Sequence, residues 1–212
     1  MRIGLFGGTF NPIHIGHVAL ASNVRKAFNL DRLLFIPSSI PPHKTDVIAP
    51  QLRYEMVQLV AEKLGEGFGV SDYEVNSPEI SYTYKTLKKF RTDMPEEELF
   101  FIAGTDIFAK IETWQYWRDL FYLSNFIVVN RSSVSFDEML AKIPVSLKDK
   151  VVKAEDFNGG KCGSIILYSM PEVDISSTEI RDMLDVEYRK ANLPEDVYEF
   201  IRTNNLYRRT NG

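Results

Sequence analysis

RIGLFGGTFNPIHIGHVALASNVRKAF, Arg2 to Phe28, decides the fold. Its opening, Arg2 to Gly7, is apolar and reads as a buried strand. Its close, HVALASNVRKAF, sets Leu20, Val24 and Phe28 at helical spacing, with Ala21 and Ala27 beside them. Between the two lie Gly7, Gly8 and Gly16, one proline, and two of the three histidines in the chain. A strand that runs through a glycine-rich turn into a helix is the opening unit of a parallel α/β sheet.

The rest of the chain repeats that alternation. RLLFIP (32–37) reads as a second strand, and Gln51 to Leu64 as a helix with Leu52, Met56, Leu59, Val60 and Leu64 on one face. FGVSDYEV (68–75) reads as a third strand and YTYKTLKKF (82–90) as a helix. LFFIAG (99–104), NFIVVN (125–130) and SIILYS (164–169) complete six expected strands. A helix is expected around 136–143, followed by a surface loop EDFNGGKCG. Two helices close the chain: SSTEIRDML, with a Ser or Thr as N-cap, and PEDVYEFIRTNNL, with Val197, Phe200 and Ile201 inward. Continuous apolar strands alternating with helices predict an α/β fold, a Rossmann-like doubly wound parallel sheet with helices on both faces. We expect one domain over residues 1–212, with C-terminal helices at about 176–207 packed on it.

Composition narrows the function. The chain has 212 residues, 44% apolar and 25% charged, with net charge −4. That charge argues against a general attraction to nucleic acid or to acidic membranes. The single cysteine, Cys162, excludes an internal disulfide and a cysteine-based zinc site. No apolar run is long enough to span a bilayer, and MRIGLFGG lacks the apolar core of a signal peptide, so a cytoplasmic location is expected. Nothing in the sequence fixes the oligomeric state.

In a doubly wound sheet the ligand sits at the carboxyl ends of the strands, where strand order reverses. The first strand ends in GGTFNP and the fourth in AGTD. The first turn lacks the G-x-G-x-x-G spacing of a dinucleotide fingerprint, and the chain has no P-loop. Three readings remain for it: a metal site using His14, His17 and His43, a pair of satisfied structural histidines, or a phosphate site. The phosphate reading fits best. Gly7 and Gly8 free backbone N–H groups to face an anion, and His17 stands at a helix N-terminus, where the macrodipole favours negative charge.

Three further stretches have paired readings. PPHK, Pro41 to Lys44, presents His43 and Lys44 to a ligand or is a solvated loop. ISSTEIR, Ile175 to Arg181, converges hydroxyls and a guanidinium on an anion, or is an N-cap with a surface arginine. At roughly 100° per residue Thr178 and Arg181 share a helix face. In ETWQYWRDL, Trp114 and Trp117 pack in the core, or one stacks on a flat heterocycle. Taken together, the phosphate-type sites point to a triphosphate ligand.

GGTFNPIHIGH, PPHK, SYTYKTL, GTD, TWQYW and ISSTEIR, in that order and spacing, resemble the bacterial nicotinate-nucleotide adenylyltransferases, within the nucleotidylyltransferase superfamily. The resemblance runs from about residue 2 to residue 207. It implies transfer of AMP from ATP to nicotinate mononucleotide, with Mg²⁺ bridging the phosphates. It implies catalytic roles for His17, His14, Lys44 and Arg181. It implies ATP contacts from Gly7, Gly8, Thr9, Phe10, Gly104, Asp106, Ile175, Ser176, Ser177 and Thr178. It implies acceptor contacts from Lys44, His43, Thr83, Tyr82, Trp114 and Arg131, and no protein-held metal site. Related acceptors, nicotinamide mononucleotide or phosphopantetheine, and a non-catalytic nucleotide sensor are the alternatives. Two departures stand out: Asn11 replaces the family's usual aspartate, and NRSSVSF replaces its arginine–proline–glycine turn.

Overall fold

The structure, a computed structural model, describes residues 1–42, 46–130, 134–171, 175–186 and 192–207. In chain order the elements are β1 (Arg2–Gly8), α1 (Ile15–Ala27), β2 (Arg32–Pro37), α2 (Pro50–Leu64), β3 (Phe68–Val70), α3 (Thr83–Asp93), β4 (Glu98–Gly104) and α4 (Thr105–Phe108). There follow α5 (Leu120–Leu123), β5 (Asn125–Val129), α6 (Phe136–Lys142), α7 (Val145–Lys148), β6 (Val151–Lys153), β7 (Ile165–Tyr168), α8 (Ser177–Val186) and α9 (Glu195–Thr203).

The strands form one parallel sheet in the order β3-β2-β1-β4-β5-β7-β6. Strand order reverses between β1 and β4, so the expected doubly wound architecture is present and its ligand crevice lies where GGTFNP and AGTD end. The sheet is apolar on both sides because each central strand feeds two cores. Along β4, Phe100 and Ile102 face the core covered by α1, α2, α8 and α9; Leu99, Phe101 and Ala103 face the opposite core, which holds Leu87 of α3 and Met139 of α6. Along β5, Ile127 and Val129 alternate with Phe126 and Val128 in the same way. The period of two follows from the pleat.

Two expectations about strands need correction. FGVSDYEV is a strand only over Phe68–Val70. Beyond it the short polar side chains capture the backbone: Ser71 Oγ accepts from the Tyr73 amide, and the Asn76 amide bonds the Asp72 carbonyl and its side chain the Asp72 carboxylate. Such local bonds compete with a sheet ladder. The sheet also carries a seventh strand, Val151–Lys153, at its edge, too short for periodicity to register.

Helix α2 also differs in its inward face. The buried residues are Arg53, Met56, Val57, Val60 and Ala61, while Leu52, Leu59 and Leu64 are only partly covered. In α9, Val197 and Ile201 are buried and Phe200 is half-buried. The N-cap expected for the ISSTEIR helix is Ser176: its Oγ accepts from the Glu179 amide and its own amide bonds the Glu179 carboxylate.

Candidate active site

The turn after β1 is shaped by its aromatic residue. Phe10 has a left-handed backbone, with φ of 48°, and its ring is buried. That ring packs edge-on against His17 at 5.1 Å and lies 5.5 Å from Phe6 and 5.9 Å from Phe35. A Cβ on Gly8 would sit 2.8 Å from it, so glycine is required there by the Phe10 ring as well as by any ligand. The Phe10 side chain therefore belongs to the core, and only its backbone can face the crevice.

His14 and His17 bracket the start of α1, with ring centroids 3.7 Å apart. They are 2% and 7% exposed. The His14 amide donates to His17 Nδ1 at 3.3 Å. A neutral ring that accepts at Nδ1 carries its hydrogen on Nε2. The local backbone thus selects the tautomer that can donate from Nε2. No group of three His, Cys, Asp or Glu side chains able to hold a metal occurs among the described residues.

ISSTEIR docks on this turn. Ser177 Oγ donates to the Pro12 carbonyl at 3.0 Å, and Arg181 donates through one guanidinium nitrogen to the Asn11 carbonyl at 2.9 Å. The other guanidinium nitrogen meets Thr178 Oγ1 at 3.3 Å. The shared face predicted for Thr178 and Arg181 is observed. The next segment also reaches α1, where the Ile15 amide donates to the Asn192 carbonyl at 3.0 Å. From the neighbouring strand, Gly104 and Thr105 are buried at the end of β4. Asp106 is partly buried, with Oδ1 covered and unbonded.

The residues expected on the acceptor side meet across a different seam. Tyr82 and Thr83 open α3, and Ser81 just before them is tied to the loop after β2. The Ser39 amide donates to Ser81 Oγ at 2.9 Å and the Ser81 amide to the Ile40 carbonyl at 3.0 Å. Tyr84 and Tyr116 lie 4.8 Å apart, which brings the start of α3 against the TWQYW segment. Trp117 is buried in the core. Trp114 is half-buried, edge-on to Phe101 at 6.0 Å, and keeps a surface toward solvent. A small depression, open to solvent, runs beside Glu74, Ser81, Tyr82, Lys85 and Thr86. His43, Lys44 and, within NRSSVSF, Arg131, Ser132 and Ser133 lie outside the described residues.

The family comparison agrees with this geometry. The cytidylyltransferase-like family matches residues 5–183. A protein of Clostridium novyi (strain NT) named "Probable nicotinate-nucleotide adenylyltransferase" is 39% identical over 208 residues, covering 97% of this chain and 98% of that one. Its namesake in Clostridium botulinum (strain Okra / Type B1) is 36% identical over 96% and 98%. The chain belongs to the nicotinate-nucleotide adenylyltransferases. Their wider cytidylyltransferase-like family makes it a nucleotidyltransferase. Its fold is also that of the Plasmodium falciparum nicotinic acid mononucleotide adenylyltransferase complexed with NaAD, with a TM-score of 0.73 at 19% identity and 97% coverage of each chain. The form of that enzyme complexed with APC superposes with a TM-score of 0.74.

Three side chains that tie this region together, Arg53, Glu74 and Tyr207, went unread in the sequence, and a fourth, Asn11, was read only as a departure from the family's usual aspartate. Arg53 is fully buried and holds three carbonyls: Ile48 at 3.0 Å, Thr9 at 2.8 Å and Ser39 at 3.0 Å. It thereby joins the turns after β1 and β2. Burial lowers its pKa to about 10, against the pull of Tyr207 and Glu74, so it stays cationic at neutral pH. Glu74 is buried, which raises its pKa, while hydrogen bonds from Thr86 and Ser81 and the Arg53 charge oppose the rise. Tyr207, raised by burial, remains a phenol and donates to Asn11 Oδ1 at 3.0 Å. Asn11 donates its amide to the Asp46 carbonyl at 3.1 Å, a bond that an aspartate could not make. For Arg53 a signal existed: it shares the helical spacing of Met56, Val57 and Val60. Asn11 and Tyr207 lie 196 positions apart, with no local pattern to link them.

Proposed function

We propose that the chain transfers AMP from ATP to nicotinate mononucleotide, giving deamido-NAD and pyrophosphate. The observation that carries this reading is the docking of Ser177 and Arg181 on the Asn11–Pro12 carbonyls beside His17, at the point where strand order reverses. Near-full-length relatives named for this reaction support it. In this reading an acceptor phosphate oxygen attacks the α-phosphorus of ATP. A new P–O bond forms as the bond to the β-phosphate oxygen breaks, and pyrophosphate leaves with the electron pair. The attacking group is already an anion, so no covalent enzyme intermediate and no general base is required.

Catalysis is then alignment plus charge stabilisation. His17 donates from Nε2 to the α-phosphate, whose charge grows in the transition state. His14 and Lys44 hold the phosphates. Arg181, Ser177 and Thr178, with the amides at the start of α8, take the β- and γ-phosphates. Gly7, Gly8, Thr9, Gly104, Ile175 and Ser176 line the nucleotide, and Asp106 meets its ribose or adenine. Thr83 and Tyr82 read the pyridine carboxylate, Trp114 stacks on the ring, and His43 and Arg131 complete the acceptor pocket.

The family implies a divalent ion, and the donor set fits one carried by the substrate. His17 and Arg181 are hydrogen-bond donors for phosphate, whereas Asp106 offers an oxygen at the end of β4. Mg²⁺ would be held by nucleotide phosphates and water and would neutralise phosphate charge. A cytoplasmic location belongs to the same reading.

Pyrophosphate release with ATP and Mg²⁺ tests it, with nicotinate mononucleotide, nicotinamide mononucleotide and phosphopantetheine compared as acceptors. The expected result is the highest kcat/KM for nicotinate mononucleotide. A higher value for either other acceptor replaces the substrate. ATP binding without release for all three makes the protein a nucleotide sensor.

A further inference from the structure

We infer that Asn11 is a positioning residue that fixes the substrate-side segment 46–48 and the C-terminal Tyr207 against the phosphate wall. The inference deepens the proposed adenylyl transfer and rests on it for its kinetic consequence. Asn11 is 4% exposed and both ends of its amide are used. Nδ2 donates to the Asp46 carbonyl at 3.1 Å. Oδ1 accepts from Tyr207 Oη at 3.0 Å and, at 3.4 Å, from the Ile48 amide. Its carbonyl is the one that Arg181 grips. A single residue therefore touches the turn after β1, the loop after β2, α8 and the segment after α9.

The arrangement matters because of what the loop carries. The proposed function gives roles to His43 and Lys44, and the described residues on either side of them in sequence are both anchored. Upstream, Ser39 is held by Arg53 and Ser81. Downstream, Ile48 is held by Arg53 through its carbonyl and by Asn11 through its amide. The downstream anchor at Asp46 is supplied by the Asn11 side chain. In this chain the amide at position 11 makes one contact that a carboxylate cannot. A carboxylate could still accept from Tyr207 and Ile48, but it would set an oxygen against the Asp46 carbonyl. Alanine would leave the buried Tyr207 hydroxyl without its acceptor.

The test compares Asn11→Asp, Asn11→Ala, Tyr207→Phe and the double variant Asn11→Ala/Tyr207→Phe with the unaltered chain. Two quantities are measured: amide hydrogen exchange at Ile48, and kcat and KM with ATP and nicotinate mononucleotide. Asn11→Asp is expected to lower kcat/KM by ~10-fold, the worth of one buried hydrogen bond, measured at a temperature well below the unfolding transition of every variant. Asn11→Ala is expected to speed Ile48 exchange, and Tyr207→Phe to add nothing to it. Normal kinetics in Asn11→Asp, or unchanged Ile48 exchange in Asn11→Ala, overturns the proposal. A loss of kcat/KM that follows thermal stability alone also overturns it, because a scaffold residue would behave that way. If the unaltered chain shows no turnover with this acceptor, the substrate reading has failed. The positioning role is then decided by ATP affinity, expected ~10-fold weaker in Asn11→Asp, together with the Ile48 exchange.

Discussion

The two walls proposed for the crevice are built differently. The proposed phosphate wall, His14 to His17 with the turn before it, buries both imidazoles and is tied at many points. Arg53 holds Thr9, Arg181 holds Asn11, Ser177 holds Pro12, and the Asn192 carbonyl holds the first amide of α1. The acceptor wall, around Tyr82, Thr83 and Trp114, is half-buried and largely aromatic, and Tyr116 beside it is 61% exposed. A donor that must meet charge developing on phosphorus gains from being fixed before the reaction begins. A surface that stacks on a flat ring needs only shape and apolar area. The contrast predicts that damage to the first wall appears in stability and turnover, and damage to the second in substrate affinity.

The largest effect is expected from Arg53→Met, which keeps the apolar stem but abandons three buried carbonyls. We expect a loss of at least about 3 kcal/mol in urea unfolding, from the cost of leaving such groups unsatisfied. A loss under 1 kcal/mol would mean that water replaces the guanidinium and that the wall is less dry than described. Next comes His17→Ala. With the fold intact by circular dichroism, kcat should fall ~100-fold, about 2.7 kcal/mol, the scale of losing one transition-state donor. Turnover near normal would remove His17 from the chemistry and leave it as a helix-start residue. The smallest effect is expected from Trp114→Ala, with KM for the pyridine nucleotide rising ~10-fold, near the worth of one stacking contact, and KM for ATP little moved. Equal changes in both constants would assign Trp114 to the core through its contact with Phe101.

Legibility in the sequence followed the same division. LFFIAG announced a central strand because five consecutive apolar residues leave few alternatives, and the ISSTEIR helix announced its cap. The third strand was overread, since Phe68 to Val75 has strand-forming residues but its Ser and Asp side chains close turns. Val151–Lys153 was missed because three residues carry no period. The histidines could be read as a phosphate-facing pair from their place at a helix start. The ties that hold them could not. Arg53 looks like an ordinary helical cation until the opposite ends of its guanidinium are seen on two loops. Asn11 looked like a small departure beside the phosphate site. Its amide acquires meaning only from Asp46 and Tyr207, which no spacing rule connects to it.

The bond from Tyr207 to Asn11 also sets an order in time. During synthesis at 5–20 residues per second, on the order of 10–40 s separates the two residues. The turn after β1 is made well before its partner Tyr207 emerges. Until then Asn11 Oδ1 lacks its phenolic donor and Ile15 lacks the Asn192 carbonyl. Much of the sheet can assemble first, but this wall is finished only once Tyr207 has emerged.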